Sequence, residues 1–358
     1  MNLALRMPTA LALLALALGL TGCGTRSTVP GTSGSSDEQV VYDTSGIDPK
    51  LTGEIRIDGS STVYKLSQAA AEEFGNVAGN VDIAVKYAGT GGGFKSFVKG
   101  DLDICDASRP IQENELATCR ENGVAFIELP ISFDALTVAV NADNDFCNEM
   151  TVAELKKLWE PAAKGKIMTW SQVRDGWPNE EIALYGADTE SGTFEYFTEA
   201  IVGEKNSSRS DYTSNSNDNI LIQGIQGDKF ALGYLPYAYY EPRQSTLKAV
   251  KIIAEEGAEA VEPTPANVEN GKYQPLARPL FVYVNKKSAQ RPEVKAFVEF
   301  YLKNGPAISQ DVKYIPFPPA IYAQVSERFQ KGTLGTAFGG KSPVGMSIAD
   351  VMQLEPKS

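Results

Sequence analysis

Three stretches of the chain repeat one pattern: a short apolar strand-like run, a cluster of Gly, Ser and Thr, then apolar residues at helical spacing. The first passes from Glu54–Asp58 through Gly59-Ser60-Ser61-Thr62 into a predicted helix over 63–74, with Val63, Leu66, Ala70 and Phe74 on one face. The second passes from Val81–Ala88 through Gly89-Thr90-Gly91-Gly92-Gly93 into a helix over 94–98. The third passes from Ile182–Tyr185 through Asp188-Thr189-Glu190-Ser191-Gly192-Thr193 into a helix over 194–202. Further strands are predicted over 102–108, 135–141, 230–237, 248–254 and 280–285, with 263–273 as a loop. Thr151 and Glu154 have the spacing of a capping box opening a helix to Trp159, and 292–304 is an amphipathic helix. Strands alternating with helices predict an α/β protein with a largely parallel sheet. The runs 135–141 and 280–285 are expected to carry the chain between two lobes, one of residues 51–135 plus 280–330 and one of 136–279. Residues 331–358 then form a C-terminal extension.

The first 50 residues follow different rules. Arg6 precedes an apolar run, Ala10–Leu20, that is too short to cross a bilayer comfortably and has the form of a signal-peptide core over residues 1–22. It ends in Leu20-Thr21-Gly22-Cys23, which resembles a lipobox, so Cys23 is the expected lipidation site and mature N-terminus. Several acyl chains on one cysteine suffice for stable anchoring. Residues 23–50 are rich in Gly, Ser, Thr and Pro, the composition of a flexible tether.

Composition narrows the function. With 33 Lys and Arg against 45 Asp and Glu, the net charge is −12, which argues against nucleic acid as a partner. It does not argue against a small anion held by local dipoles. The chain has no histidine and four cysteines with no Cys-x-x-Cys, which disfavours a metal site and implies no cofactor. Cys105 sits in an apolar strand, whereas Cys119 and Cys147 have polar neighbours, so a Cys119–Cys147 disulfide is expected.

Each Gly/Ser/Thr turn would place free backbone N–H groups and hydroxyls at the positive end of a helix. The same residues are ordinary caps and turns. It is their repetition that points to a tetrahedral oxyanion enclosed between lobes. Gly89–Gly93 lacks the Gly-Lys-Ser/Thr ending of a nucleotide-binding loop.

The motifs occur in a telling order: Asp58-Gly-Ser-Ser-Thr-Val-Tyr64, Gly89-Thr-Gly-Gly-Gly-Phe94, Asp103-Ile-Cys-Asp-Ala-Ser-Arg-Pro-Ile111, Ser191-Gly-Thr-Phe194, Tyr196-Phe-Thr-Glu-Ala-Ile201 and Tyr273-Gln-Pro-Leu-Ala-Arg-Pro-Leu280. Together they resemble the substrate-binding subunit of phosphate ABC transporters, over about residues 53–320. The resemblance implies a two-lobed, type II-like periplasmic-binding-protein fold with a hinge and a central ligand cleft. It implies a monomer that binds inorganic phosphate outside the cytoplasmic membrane and hands it to permease subunits. By motif, Thr62, Val63, Thr90, Ser191, Gly192 and Thr193 are expected at the phosphate, with Ser61, Gly91 and Ser108 beside them. Where such proteins carry an acidic residue after the third strand and an arginine before the Ser-Gly-Thr turn, this chain has Ser108 and Ala187. Arg109 and Asp188 are therefore expected to supply the cation and the carboxylate from exchanged sides of the cleft. A carboxylate accepts a hydrogen bond from the phosphate O–H and faces only a lone pair on sulfate. Another tetrahedral oxyanion, a surface role in adhesion or sensing, or hydrolysis of a phosphate ester are the alternatives. The last lacks an ordinary partner base for Ser61 or Ser191.

Overall fold

A computed structural model describes residues 41–189, 191–215, 217–340 and 347–354. Cys23, the signal segment and most of the expected tether lie outside them. Twelve strands are found among these residues: β1 (Gly53–Gly59), β2 (Val81–Val85), β3 (Ile104–Ala107), β4 (Phe126–Asn141), β5 (Glu149–Thr151), β6 (Ala183–Gly186), β7 (Thr213–Ser214), β8 (Ala231–Pro236), β9 (Leu247–Ala249), β10 (Lys251–Ile253), β11 (Ala260–Val261) and β12 (Ala277–Asn285). The main path runs β2-β1-β3-β12-β4-β8-β6-β7, with β9 beside β4, and a small second sheet runs β11-β10-β5. β1 is parallel to β2 and β3, and β6 is parallel to β7 and β8. The molecule is α/β and two-lobed, with β4 and β12 joining the halves.

β4 is the spine. Its residues from Phe126 to Ala135 pair with β12, and those from Leu136 to Asn141 pair with β8 and β9. The sequence pattern predicts a strand only from 135, because Glu128, Pro130, Ser132 and Asp134 interrupt the apolar run. All 16 residues are nevertheless buried. The three polar side chains that interrupt its first half each find a distant partner: Glu128 accepts from Tyr283 Oη at 2.8 Å, Ser132 Oγ donates to Ile315 O at 3.0 Å, and Asp134 meets Arg278 at 3.4 Å. Most buried polar groups in folded proteins are paired in this way.

Other boundaries shift for local reasons. The strand predicted over 248–254 is two strands in two sheets, and Val250 N bonds Val138 O between them. The predicted loop 263–273 contains a one-turn helix, Pro265–Glu269, capped by Thr264. Thr151 and Glu154 form the expected capping box. At the ends, Asp43 docks on the helix Pro292–Lys303 through Lys303 at 2.6 Å. Gly335 bridges Ile127, and Phe338 packs on Phe281.

The expected Cys119–Cys147 disulfide is not formed: Cys105, Cys119 and Cys147 are all free and buried. Polar neighbours are a poor guide to exposure. Cys119 lies with Leu116 on the buried stripe of the helix Glu113–Glu121, whose other positions carry the polar residues. Cys147 turns into the core while its backbone N–H donates to Asn144 Oδ1 at 2.9 Å. Burial pushes the Cys119 thiol up to about 11 and the Cys147 thiol up to about 12, so both behave as small apolar side chains.

Candidate anion-binding site

The first turn follows β1 directly. Ser60 caps the helix Ser61–Gly75, its hydroxyl accepting from Val63 N at 3.4 Å, while Ser60 N donates to Asp106 O at 2.9 Å. Thr62 and Val63 are buried, and Tyr314 Oη donates to Thr62 O at 3.1 Å. The turn is held from behind by β3 and from the side by Tyr314, so its first N–H groups have a fixed direction.

Glycines bring the other two turns to it. The second helix, Thr90–Phe97, begins inside the glycine run, one turn earlier than its apolar residues suggest. Gly89 stands before it at φ +78°, which favours glycine. A Cβ on Gly93 would lie 2.5 Å from Gly59 Cα, so this helix packs against the first turn at backbone contact. Thr90 reaches the end of β3, where its hydroxyl bonds Ser108 Oγ at 3.0 Å and accepts from Ser108 N at 3.2 Å. From the other lobe, Ser191 caps the helix Gly192–Phe197, accepting from Thr193 N at 3.2 Å. A Cβ on Gly192 would lie 3.0 Å from Thr62 Oγ1 and 3.2 Å from Ser61 Oγ. Ser61 Oγ also donates to Glu195 Oε2 at 3.2 Å across the cleft. The structure therefore brings Ser61, Thr62, Val63, Thr90, Ser108, Ser191, Gly192 and Thr193 into one neighbourhood.

Of the two charged residues singled out in the sequence, Arg109 is already engaged and Asp188 stands beside the third turn. Arg109 has its fork occupied: two nitrogens donate to Glu115 at 2.8 and 2.9 Å, and one also donates to Pro110 O at 3.1 Å. Burial opposes its charge, but the Glu115 carboxylate outweighs that and raises the guanidinium above its ordinary value. Asp188 is half-buried before the third turn, where its backbone carbonyl accepts from Ser191 N at 3.0 Å.

Other groups stand in the cleft that the sequence alone does not mark. Arg278, on β12, lies 3.3 Å from Thr62 Oγ1, 3.4 Å from Asp134 and 3.6 Å from Glu199, with its guanidinium 3.5 Å from the centre of the Tyr196 ring. Glu195 pairs with Lys205 at 2.6 Å. Burial disfavours the Glu195 charge, yet Lys205 and the Ser61 hydroxyl hold it below the usual carboxylate range. Burial pushes Asp134 up, opposed by Arg278 and Lys65. Arg278 belongs to the quoted motif Tyr273–Leu280, but nothing local in that motif marks it as cleft-facing.

Beneath the first turn lies Asp106, fully buried. One oxygen accepts from Ser67 Oγ at 2.8 Å, and the other has no partner among the described residues. Burial pushes this carboxyl well above its ordinary range against the Ser67 bond, with the Asp58 charge adding to the rise. The unfolded chain sheds the proton near about pH 4 and the folded chain only higher, so stability falls as pH rises above that value. Asp106→Asn removes this loss. Its thermal midpoint should match the parent near about pH 4 and exceed it by a growing margin toward about pH 7. A margin that shrinks over that range would show that Asp106 is charged in the folded protein.

A family model described as a PBP superfamily domain matches residues 36–304. Protein SphX of Synechocystis sp. is 46% identical over 307 residues, covering 85% of this chain and 91% of that one. Phosphate-binding protein PstS of Staphylococcus saprophyticus is 33% identical over 276 residues, covering 77% and 84%. Among solved structures, a possible phosphate binding protein from Planctomyces limnophilus superposes with TM-score 0.75 at 49% identity, covering 78% of this chain and 99% of that one. The chain belongs to the PBP superfamily, in the family of substrate-binding proteins that includes SphX and the phosphate-binding protein PstS.

Proposed function

We propose that the protein captures inorganic phosphate on the outer side of the cytoplasmic membrane and delivers it to the permease of an ABC transporter, without catalysing a reaction. The observation that carries this reading is the meeting of three Gly/Ser/Thr helix N-termini from two lobes, seen in the close approach of Gly192 to Thr62 and of Gly93 to Gly59. The relatives named for phosphate binding support the choice of anion. The proposed ligand set is Ser61, Thr62, Val63, Thr90, Gly91, Ser108, Ser191, Gly192 and Thr193, with Asp188 offered for the phosphate proton. The lobe limits near 135 and 280 and attachment through a lipid on Cys23 complete the reading.

Calorimetric titration of the purified protein should show one phosphate site, with sulfate weaker by about 10⁴-fold, the range open to a site built around a polar match. Equal affinities would leave a general oxyanion carrier. Turnover of a phosphate ester would refute a purely binding role. Loss of phosphate uptake in cells lacking the protein, restored by the parent gene, tests delivery.

A further inference from the structure

We propose that Arg278 is the cation that neutralises the bound oxyanion, and that Asp134 is the residue positioning it at the crossing between the lobes. The proposal rests on the phosphate reading and names the charged partner of that same site. A buried anion needs a counter-charge, and the cations around the cleft are not equally available. Arg109 already holds Glu115 through two hydrogen bonds, at 2.8 and 2.9 Å. Lys205 is taken by Glu195 at 2.6 Å. Lys65 is exposed.

Arg278 differs in three ways. Its contacts with Thr62, Asp134 and Glu199, at 3.3 to 3.6 Å, all exceed the roughly 2.7–2.9 Å of a charge-assisted hydrogen bond. Its Nε is buried and has no hydrogen-bond partner among the described residues. Its plane is fixed by the Tyr196 ring 3.5 Å away. The guanidinium is thus oriented and desolvated, yet its donors are not satisfied. An oxyanion at the first turn, where the Thr62 hydroxyl already touches it, can accept the donors that Asp134 and Glu199 reach only loosely.

The backbone explains why this side chain is placed so well. Arg278 and Asp134 are directly opposite in the antiparallel register of β12 and β4. Asp134 is buried and lies two residues before β4 begins pairing with β8, where the two halves of the sheet meet. The pair belongs to the crossing strands and not to a loop of either lobe. Glu199, on the helical stretch after the third turn, approaches Arg278 from the second lobe. Asp134 holds the guanidinium in its plane and balances its charge when no anion is present.

Phosphate titrations of the parent, Arg278→Ala, Arg278→Lys, Arg109→Ala, Asp134→Asn and Asp134→Glu test this, each with a thermal unfolding curve. Arg278→Ala is expected to weaken phosphate by about 100-fold or more, the range of a desolvated charge partner. Arg278→Lys, which keeps the charge and so the fold, is expected to lose about tenfold because an ammonium lacks the planar fork. Arg109→Ala should stay within about threefold, since its fork is already held by the Glu115 carboxylate. Asp134→Asn should lose about tenfold, and Asp134→Glu should recover most of that, because the loss comes from the missing carboxylate that holds Arg278. Parent-like affinity in Arg278→Lys and Arg278→Ala, or a 100-fold loss in Arg109→Ala, overturns the assignment. The same variants are titrated with sulfate. If the parent binds sulfate and not phosphate, and binding still depends on Arg278, the phosphate reading fails and this assignment stands. A parent that binds neither anion overturns both.

Discussion

Gly192→Val is expected to weaken phosphate binding by about 10–100-fold while leaving both lobes folded. Gly192 opens the third helix, and its missing side chain is what lets that helix come up against the first turn. A Cβ alone would lie 3.0 Å from Thr62 Oγ1 and 3.3 Å from Thr62 N. The hydroxyl can rotate, but the backbone nitrogen cannot yield, and the two further methyl groups of valine need still more room. Overpacking of this kind costs about 1–3 kcal/mol, and each 1.4 kcal/mol is tenfold in affinity. The cost falls on the closed arrangement, because the neighbours that collide belong to the other lobe. Donors on one side of the anion are then withdrawn, and the Ser61–Glu195 hydrogen bond across the cleft, at 3.2 Å, is lost with them. Titration should show the loss of affinity, and small-angle scattering should show no compaction on adding phosphate. Parent-like affinity and compaction in Gly192→Val would mean that closure does not bring these two turns together.

The parts of the fold that the sequence reveals are those whose causes are local. The three strand–turn–helix units are visible because helical spacing and cap chemistry act within a few residues of each other. The Thr151–Glu154 capping box is legible for the same reason. What the sequence hides depends on partners far along the chain. The first half of β4 looks interrupted because Glu128, Ser132 and Asp134 are satisfied from far along the chain, by Tyr283 and Ala337, by Ile315 and by Arg278. No window of ordinary length contains both members of such a pair. The free thiols of Cys119 and Cys147 teach the same lesson from the other side, since an odd count and polar neighbours say nothing about where two side chains point. Arg109 stands next to a strand end and looks like the obvious cation, but Glu115, six residues on, takes its fork. Arg278 is only a letter in a motif until the register of β4 and β12 sets it opposite Asp134.

The glycine run of the second turn separates packing from ligand approach, and two alanine variants should divide accordingly. Gly93→Ala is expected to destabilise the protein by about 3 kcal/mol, the upper end for overpacking. Its Cβ would stand 2.5 Å from Gly59 Cα and 3.0 Å from both Asp58 O and Cys105 Sγ. Two of those three are backbone atoms of β1, itself pinned between β2 and β3, so the helix must lift away from the sheet. For lobes of this size that loss lowers the melting temperature by about 6–12 °C. Gly91 lies one residue into the same helix and is exposed, and a Cβ there would meet nothing within 4 Å. Alanine there should raise helix stability by up to about 1 kcal/mol. If Gly91 is a ligand position, that methyl group shields the first-turn N–H groups, and phosphate should weaken by about tenfold, near 1.4 kcal/mol. Thermal unfolding and phosphate titration on both variants read the two effects independently. Gly91→Ala with full affinity would remove Gly91 from the site and leave the run as a packing device built around Gly93. A stable Gly93→Ala would mean that the contact with Gly59 is slack, and the second turn would then be free to approach the anion by moving as a whole.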